Sequence, residues 1–250
     1  MAKSTPSHLV TTGRSLFAIA ILGFGVQYAI YGHLRLGLPL LPHWLANGSI
    51  IAYVMAALLI AGGFALLAAW RAAATTLALA LILLAGAFLH LQRIDGVLRN
   101  GNARTAFLEA LALAATGLIL HALVTGSRIT LGFGRLFFAF TMIVFGAQHF
   151  MYTSYIASLI PAWIPQHHLW VLVTGVALIA AGISILTSIA EKYAAFGLFA
   201  MLLGWVAVLH APRILHALHN GDEWSSGLVA LGLCGGSLLL AASTGQVRRN

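Results

Sequence analysis

Residues 13–31 read GRSLFAIAILGFGVQYAIY, and residues 134–152 read GRLFFAFTMIVFGAQHFMY. Each stretch is apolar over almost its whole length, and a membrane-spanning helix consumes about 20 such residues. The two stretches share a glycine and an arginine at the start and further identical residues near the end. The shared pairs are Gly13 and Gly134, Arg14 and Arg135, Phe24 and Phe145, Gly25 and Gly146, Gln27 and Gln148, and Tyr31 and Tyr152.

The composition of the whole chain agrees with a membrane location. Of 250 residues, 61 % are hydrophobic and 7 % are charged, whereas soluble domains carry about 25 % charged residues. This composition excludes an aqueous catalytic domain and long disordered segments. The net charge is +8, but the basic residues stand singly between apolar runs, so we expect no nucleic-acid partner. The single cysteine excludes disulfide frameworks and cysteine-based metal sites.

Eight apolar runs are long enough to span a bilayer. A lipid-exposed backbone must satisfy its own hydrogen bonds, and these runs are continuous rather than alternating, so helices are predicted and a barrel is not. We therefore predict an all-α polytopic membrane protein of about eight transmembrane helices whose first partner is the lipid bilayer. The predicted spans are residues 14–32, 49–70, 73–92, 103–124, 134–155, 168–189, 193–214 and 225–243.

An internal repeat at an offset of 119 to 121 residues organises these spans into two halves. Four spans per half is an even number, so both halves enter the membrane from the same side as parallel repeats. The first run recurs in the second half, so we expect it to be retained and not removed as a signal peptide. Further matched pairs are Pro42 and Pro161, Trp44 and Trp163, His90 and His210, Arg93 and Arg213, and Asn100 and Asn220. The predicted organisation is a tail over residues 1–12, a first unit over 13–124, a linker over 125–133, a second unit over 134–243 and a basic tail over 244–250.

The basic residues predict the orientation, because cytoplasmic loops carry an excess of lysine and arginine. The side that holds the N-terminus has the larger share, so we expect both termini in the cytoplasm and the chain in the bacterial inner membrane. That side carries Lys3, Arg14, Arg71, Arg128, Arg135, Lys192, Arg248 and Arg249, and the other carries Arg35, Arg93, Arg99, Arg104 and Arg213.

Several motifs together resemble the DoxX-like family. They are residues 145–149 (FGAQH), residues 160–165 (IPAWIP), and residues 209–213 (LHAPR) followed by residues 220–224 (NGDEW). The resemblance implies two four-helix units in tandem and a role beside membrane redox systems, since one branch is the quinone-linked DoxD-type subunit of a thiosulfate-oxidising enzyme. The second unit fits the pattern better. The first unit has Tyr28, Gln92 and Arg104 where the second has His149, Pro212 and Trp224.

Repeated polar residues predict an outward-opening polar pocket in each repeat. Glutamine and tyrosine four apart share one helix face, as do histidine and arginine three apart. Such groups are costly inside a membrane unless they face the bundle or a wet cavity. Hydrogen bonding from helix to helix is the alternative explanation, and for the tryptophans it is anchoring at the membrane surface. The candidate pocket residues are Gln27, Tyr31, His90, Arg93, Gln148, His149, Tyr152, Trp163, His210, Arg213 and Trp224.

Such a pocket suits a quinone or another flat carbonyl compound. His210 and Arg213 are expected to donate to one carbonyl oxygen, and Gln148, His149 or Tyr152 to contact the opposing oxygen. Haem held between His149 and His210 is the alternative, but only one repeat offers that pair, so quinone is favoured. The chain itself carries no cluster ligands or nucleotide motif, so a redox reaction requires a bound cofactor or partner redox subunits.

Two further features are weaker candidates. His216 and His219, with Asp222 nearby, have a spacing that brings two imidazoles together if the segment is helical, but a hydrated loop explains them equally well and we expect no metal.

Glu109 lies inside the fourth span, and a carboxyl group inside a membrane is a functional candidate. An ion pair with Arg93 or Arg104 is the favoured explanation. The alternative is a proton relay, which is weakly supported because residues 111–120 offer only Thr116 as a polar continuation.

The sequence leaves three functional classes open. They are a quinone-interacting or accessory redox component, a binder or transporter of a small lipid-like molecule, and a structural subunit of a larger membrane complex. Polar groups cluster toward one side of the predicted bundle, which favours binding over translocation.

Overall fold

The computed structural model describes residues 8–32 and 49–247. In that part of the chain every regular element is helical. A short 3-10 turn over Leu91–Arg93 joins α3 to α4, and a π-helical turn over Val206–His210 joins α9 to α10. The helices are α1 (His8–Tyr31), α2 (Ser49–Leu67), α3 (Ala72–His90), α4 (Ile94–Arg99), α5 (Gly101–Thr125), α6 (Arg128–Met151), α7 (Thr153–Leu159), α8 (His167–Thr187), α9 (Glu191–Trp205), α10 (Ala211–His216) and α11 (Gly221–Val247).

Eight of the helical segments are long and apolar enough to cross a membrane, which confirms the predicted fold class. The third span combines α3 and α4, and the seventh combines α9, the π turn and α10. Large apolar side chains such as Ile50, Phe64 and Ile129 lie exposed on the outer surface, where an aqueous solvent would penalise them and lipid does not. The chain is an integral membrane protein.

Some boundaries differ from those predicted. The fifth span was expected to reach residue 155, but α6 ends at Met151 and Tyr152 turns the chain into the short helix α7. Only Gly126 and Ser127 separate α5 from α6, so most of the expected linker is helical. Gly126 adopts a left-handed conformation that ends α5, and the Ser127 side chain caps α6. Lys3, Arg35, Pro42, Trp44, Arg248 and Arg249 lie outside the described residues.

The long helices form a closed ring, and two of them also pack against each other across the middle of the ring. Around the ring, α1, α2, α3, α5, α6, α8, α9 and α11 each pack against the next, and α11 packs against α1. The most deeply buried helices, α5 and α11, also pack against each other. One face of the bundle holds the start of α1 and the end of α11, and we call it the N-terminal face. The opposite face, here the far face, holds the start of α5, the end of α6 and the start of α11.

The packing crosses between the predicted halves. The first helix of each half packs along the last helix of the other, α1 on α11 and α6 on α5. Glycines make both contacts close, because a Cβ added to Gly13 would lie 2.9 Å from Gly235 O, and one added to Gly134 would lie 3.1 Å from Ala115 O. A pocket in this bundle is therefore built from both halves.

Candidate functional site

A cavity of about 1120 Å³ opens at the far face between α5, α6, α8, α9 and α11. At 1.5 Å per residue, the deepest lining residue on α11, Leu233, lies about 18 Å from the start of that helix. Polar residues line the mouth and apolar residues line the interior. The mouth includes Arg99, Asn100, Asn102, Asp222 and Ser226, and the interior includes Met142, Phe145, Leu178, Met201, Val229 and Leu233.

Gln148 lies in the wall between α6 and α5. Its Nε2 donates to Thr105 Oγ1 at 3.1 Å and to Gly101 O at 3.5 Å. Its Oε1 is buried and has no hydrogen-bond partner among the described residues. The sequence predicted this residue as part of a pocket, and the structure places it there with an unused acceptor.

His149 follows Gln148 in the cavity wall. Its Nδ1 lies 2.7 Å from Phe145 O, one turn earlier in α6. A carbonyl oxygen can only accept, so Nδ1 carries the hydrogen, and in the neutral ring Nε2 is then a hydrogen-bond acceptor.

His210 lines the cavity from the π-helical turn that ends α9. Pro212 comes two residues later and lacks a backbone N–H, so a regular α-helical ladder cannot run through it. The π turn precedes this break, and the chain then continues as α10. His210 Nδ1 is buried and has no hydrogen-bond partner among the described residues. His210 is therefore the second imidazole in the cavity wall, after His149, with one ring nitrogen that makes no such bond.

Glu109 lines the same cavity from α5. It lies about 12 Å inside the membrane-spanning segment, measured from Gly101. The sequence-based expectation of an ion pair with Arg93 or Arg104 is wrong, because in the described part of the chain Glu109 forms neither an ion pair nor a hydrogen bond. The cavity therefore contains a carboxyl group that has no partner within residues 8–32 and 49–247.

Tyr152 and Arg104 close one side of the cavity mouth. Arg104 donates to Tyr152 Oη at 2.8 Å and to Leu98 O at 3.1 Å, and its guanidinium also lies over the tyrosine ring. These contacts explain why Arg104 does not reach Glu109. They also bring α5 and α6 together at the far face.

The predicted pocket residues of the first half lie elsewhere. Gln27 is buried between α1 and α11, where Nε2 donates to Gly221 O at 2.9 Å and Oε1 accepts from Ser225 Oγ at 3.3 Å. Tyr31 donates to His219 O. His90 and Arg93 lie at the end of α3 and in the turn that follows it, and neither lines the cavity.

Three predicted residues of the second half also lie outside the cavity lining. Arg213 forms a two-pronged ion pair with Glu223, with Nε at 2.8 Å and the second nitrogen at 2.7 Å, so the expected donation from Arg213 to a ligand in this cavity has no support. Trp163 is 72 % exposed, and Trp224 donates to Leu218 O.

The two histidines of the metal candidate lie in different elements, whereas the two haem candidates lie in the wall of one cavity. His216 ends α10 and His219 lies in the following turn, so the two imidazoles do not share a helical turn, while Asp222 is at the cavity mouth. Within residues 8–32 and 49–247 no group of three or more metal-ligating side chains occurs. The haem candidates His149 and His210 line the same cavity.

An apolar groove of about 370 Å³ runs between α8 and α9 and shares Met201 with the cavity. Alanine and glycine line most of it, including Ala181 and Gly197. Toward the far face the rings of Trp170 and Trp205 meet edge to face at 6.4 Å and bridge the same two helices. The groove and the cavity therefore adjoin at Met201.

Sequence reasoning missed Glu109 as a cavity residue. It singled out this carboxyl as a functional candidate but assigned it a partner within the first half. The signal that could have found the site is its depth, because an acid so far from both ends of its span needs a polar environment.

Comparisons with known proteins match part of the chain to a family but assign no activity. One protein-family model, described as a domain of unknown function (DUF8561), matches residues 138–231. No curated protein and no solved structure gives a significant match. The matched segment runs from α6 into α11 and contains Gln148, His149 and His210, whereas Glu109 lies before it. The chain is therefore similar to this family over its second half.

Proposed function

We propose that this protein binds a small amphipathic molecule of the quinone class in the far-face cavity, as an accessory component of a membrane redox system. The observation that carries the proposal is the cavity itself, where imidazole, amide and carboxyl groups converge above an apolar interior. Binding sites for small molecules are mostly apolar clefts with a few placed polar groups. The cavity has that construction.

The size and access of the cavity support a lipid-soluble ligand. Typical ligand pockets measure about 300–1,000 Å³, so a cavity of about 1120 Å³ accommodates a substituted ring and part of an alkyl chain. The groove between α8 and α9 shares the lining residue Met201 with the cavity. In the proposed function, a molecule dissolved in the bilayer would approach the cavity along this groove.

The redox assignment rests on the DoxX-like resemblance of the second half, including residues 145–149 and 209–213. The one cysteine, Cys234, is buried within α11, so electrons would come from a bound cofactor or from a partner subunit. The excess of basic residues near the N-terminal face favours cytoplasmic termini in a bacterial inner membrane.

A structural subunit is the second candidate function. The span that contains α9 is the least buried of the eight, and it presents a long apolar face. In a larger complex that face would contact another membrane subunit. Under this alternative, substitutions in the cavity leave assembly unchanged and substitutions on the outer face of α9 release the partner.

Native mass spectrometry of the full chain in a mild detergent tests the proposal. We expect an adduct with the mass of a quinone or quinol, or co-extracted redox subunits. His210→Ala should lower occupancy by a quinone-class ligand, while His216→Ala is the matched control because that imidazole is exposed outside the cavity lining. Equal occupancy in folded His210→Ala protein, or a chain that carries only phospholipid after incubation with quinone and quinol, would overturn the proposal.

A further inference from the structure

The two repeats have equivalent arginines near the N-terminal face, Arg14 in α1 and Arg135 in α6. The glycines before them make equivalent contacts, because Gly13 packs against α11 and Gly134 against α5, each the last long helix of the opposite half. Likewise, α1 packs along α2 as α6 packs along α8. The two arginines therefore occupy the same place in the two repeats.

Arg135 is engaged by the turn between α8 and α9. Its guanidinium forms an ion pair with Glu191 at 3.1 Å, and it donates to Ile185 O at 2.7 Å and to Ser188 Oγ at 2.6 Å. Glu191 is the first residue of α9, and its side chain is 5 % exposed. The second repeat therefore supplies a buried anion for its own arginine.

The corresponding turn between α2 and α3 lacks that anion. Both turns have left-handed residues one and three positions before the next helix, and these are Ala69 and Arg71 before α3, and Ser188 and Ala190 before α9. The first residue of α3, Ala72, therefore corresponds to Glu191, and Ala69 corresponds to Ser188. Alanines thus replace both the carboxylate and the hydroxyl group that contact Arg135.

Arg14 has no acidic side chain to pair with. Within residues 8–32 and 49–247 it forms neither a hydrogen bond nor an ion pair, and its Nε is buried. The chain has five acidic residues, and Glu191 is already paired with Arg135. The other four lie toward the far face, and they are Asp95, Glu109, Asp222 and Glu223. The anion that would complete the first repeat must therefore come from outside the chain.

The position of Arg14 suits an anion at the membrane surface. Arg14 lies about 9 Å along α1 from His8, and a long arginine side chain reaches the interface from that depth. The same face carries further basic side chains in the described ranges, namely Arg71, Arg128, Arg135 and Lys192. Anionic lipid headgroups are attracted to such clusters of basic residues.

From this difference between the repeats we infer that Arg14 binds the phosphate group of an anionic ligand beside the turn between α2 and α3, where the second repeat places the Glu191 carboxylate. A guanidinium presents its N–H donors in a planar fork that matches two phosphate oxygens. Ala69 and Ala72 carry no polar group that competes for these donors. The site lies at the opposite face from the cavity, so it is independent of the proposed function.

Native mass spectrometry of the full chain tests the site after exchange into micelles with equal amounts of phosphatidylglycerol and phosphatidylcholine. We expect selective retention of phosphatidylglycerol. Arg14→Gln should lower that affinity by about tenfold or more, since charge-assisted hydrogen bonds to phosphate contribute roughly that factor. Arg128→Gln is the matched control, because this exposed arginine starts α6 on the same face and its loss removes the same charge.

A second pair of variants keeps Arg14 and guards against a folding defect. Ala72→Glu introduces a carboxylate at the position equivalent to Glu191, so it should pair with Arg14 and lower phosphatidylglycerol affinity by about tenfold or more. Ala74→Glu adds the same charge at an exposed position about 200° further around α3. The Ala74 variant should retain the lipid.

Inorganic phosphate distinguishes the two sources of the ligand. Phosphatidylglycerol that excess inorganic phosphate does not displace indicates a lipid headgroup, whereas a phosphate adduct that is lost in Arg14→Gln, without selective lipid, indicates a soluble phosphate compound. Equal losses in Arg14→Gln and Arg128→Gln, or full retention in Ala72→Glu, would overturn the inference, because the charge of the whole face would then attract the anion. Wild-type protein that retains neither compound would overturn it as well.

Discussion

The two glutamines Gln27 and Gln148 occupy equivalent places in the two halves, and their surroundings differ in one respect. Each donates to the first residue of a central helix, Gly221 O for Gln27 and Gly101 O for Gln148. Gln27 Oε1 also accepts from Ser225, whereas Gln148 Oε1 is left without a partner beside the cavity. In the first half both the nitrogen and the oxygen of the glutamine form hydrogen bonds. In the second half only the nitrogen does, within the described residues.

The residues around the two glutamines differ in the same direction. Tyr28, which is fully buried, corresponds to His149 in the cavity wall, and Val229 corresponds to Glu109. Two polar residues of the cavity, Gln148 and His210, therefore have identical equivalents in the first half, Gln27 and His90, whereas His149 and Glu109 do not. The cavity adjoins α5 and α6, whereas at the contact between α1 and α11 the equivalent glutamine has both its nitrogen and its oxygen in hydrogen bonds.

Alanine in place of the packing glycines should give the largest effect on stability. A Cβ at Gly146 would lie 2.6 Å from Gly175 O, and one at Gly25 would lie 2.9 Å from Ile60 N. Because backbone must move in both cases, Gly146→Ala and Gly25→Ala should each lower the free energy of unfolding by roughly 1–3 kcal/mol. Reversible unfolding in mixed detergent measures this.

A glycine with free space around it provides the control. Gly132 lies in α6 with no atom within 4 Å of an added Cβ, so Gly132→Ala should be neutral or stabilising by up to about 1 kcal/mol through helix propensity. A harmless Gly25→Ala beside a damaging Gly146→Ala would show that the two halves do not share one packing scheme.

Replacing a cavity residue of the second half by the residue at the equivalent position of the first half should weaken ligand binding. His149→Tyr introduces the residue found at the equivalent position and replaces the ring nitrogen acceptor with a bulkier phenol. Affinity for a quinone-class ligand should fall about tenfold or more, while the free energy of unfolding changes little. Calorimetric titration measures the affinity, and Tyr28→His, far from the lining, should leave binding unchanged. Binding retained in His149→Tyr would place the ligand elsewhere.

The fold class was predictable because the length of each apolar run and the internal repeat can both be read directly from the sequence. The number of spans follows from runs such as residues 13–31 and 134–152. The break at Tyr152 was missed because the predicted fifth span was extended to residue 155 across the polar run YTSY, whereas α6 ends at Met151. A turn of this kind depends on contacts such as that with Arg104, which a one-dimensional pattern does not contain.

The candidate site was predictable only in part. Spacing placed Gln148, His149 and His210 on converging faces, and all three line the cavity. Arg213 and Glu109 were assigned to the wrong neighbours, because spacing reveals which face of a helix is polar but not which helix it meets. Here α5 packs on α6 of the other half, and that crossing brings Glu109 into the cavity.

Removing the two glutamines should expose the difference in hydrogen bonding. Gln27→Leu and Gln148→Leu each lose two hydrogen bonds, but Gln148→Leu also removes a buried oxygen that has no partner among the described residues, which offsets part of its loss. We expect Gln27→Leu to be more destabilising by about 1 kcal/mol, measured as unfolding free energies of the two variants side by side. Equal losses would indicate that Gln148 Oε1 has a partner, such as ordered water.

The smallest effect concerns the ion pair of Arg213 and Glu223. The first half has Ala103 at the position of Glu223. The side chains are 32 % and 16 % exposed, so screening limits the pair, and Glu223→Ala should cost about 1 kcal/mol or less. The loss should shrink as ionic strength rises. Asp222→Asn, one residue earlier and exposed, is the control. A loss of several kcal/mol that salt does not change would mean that Arg213 is effectively buried in lipid, where one unpaired charge is far more costly.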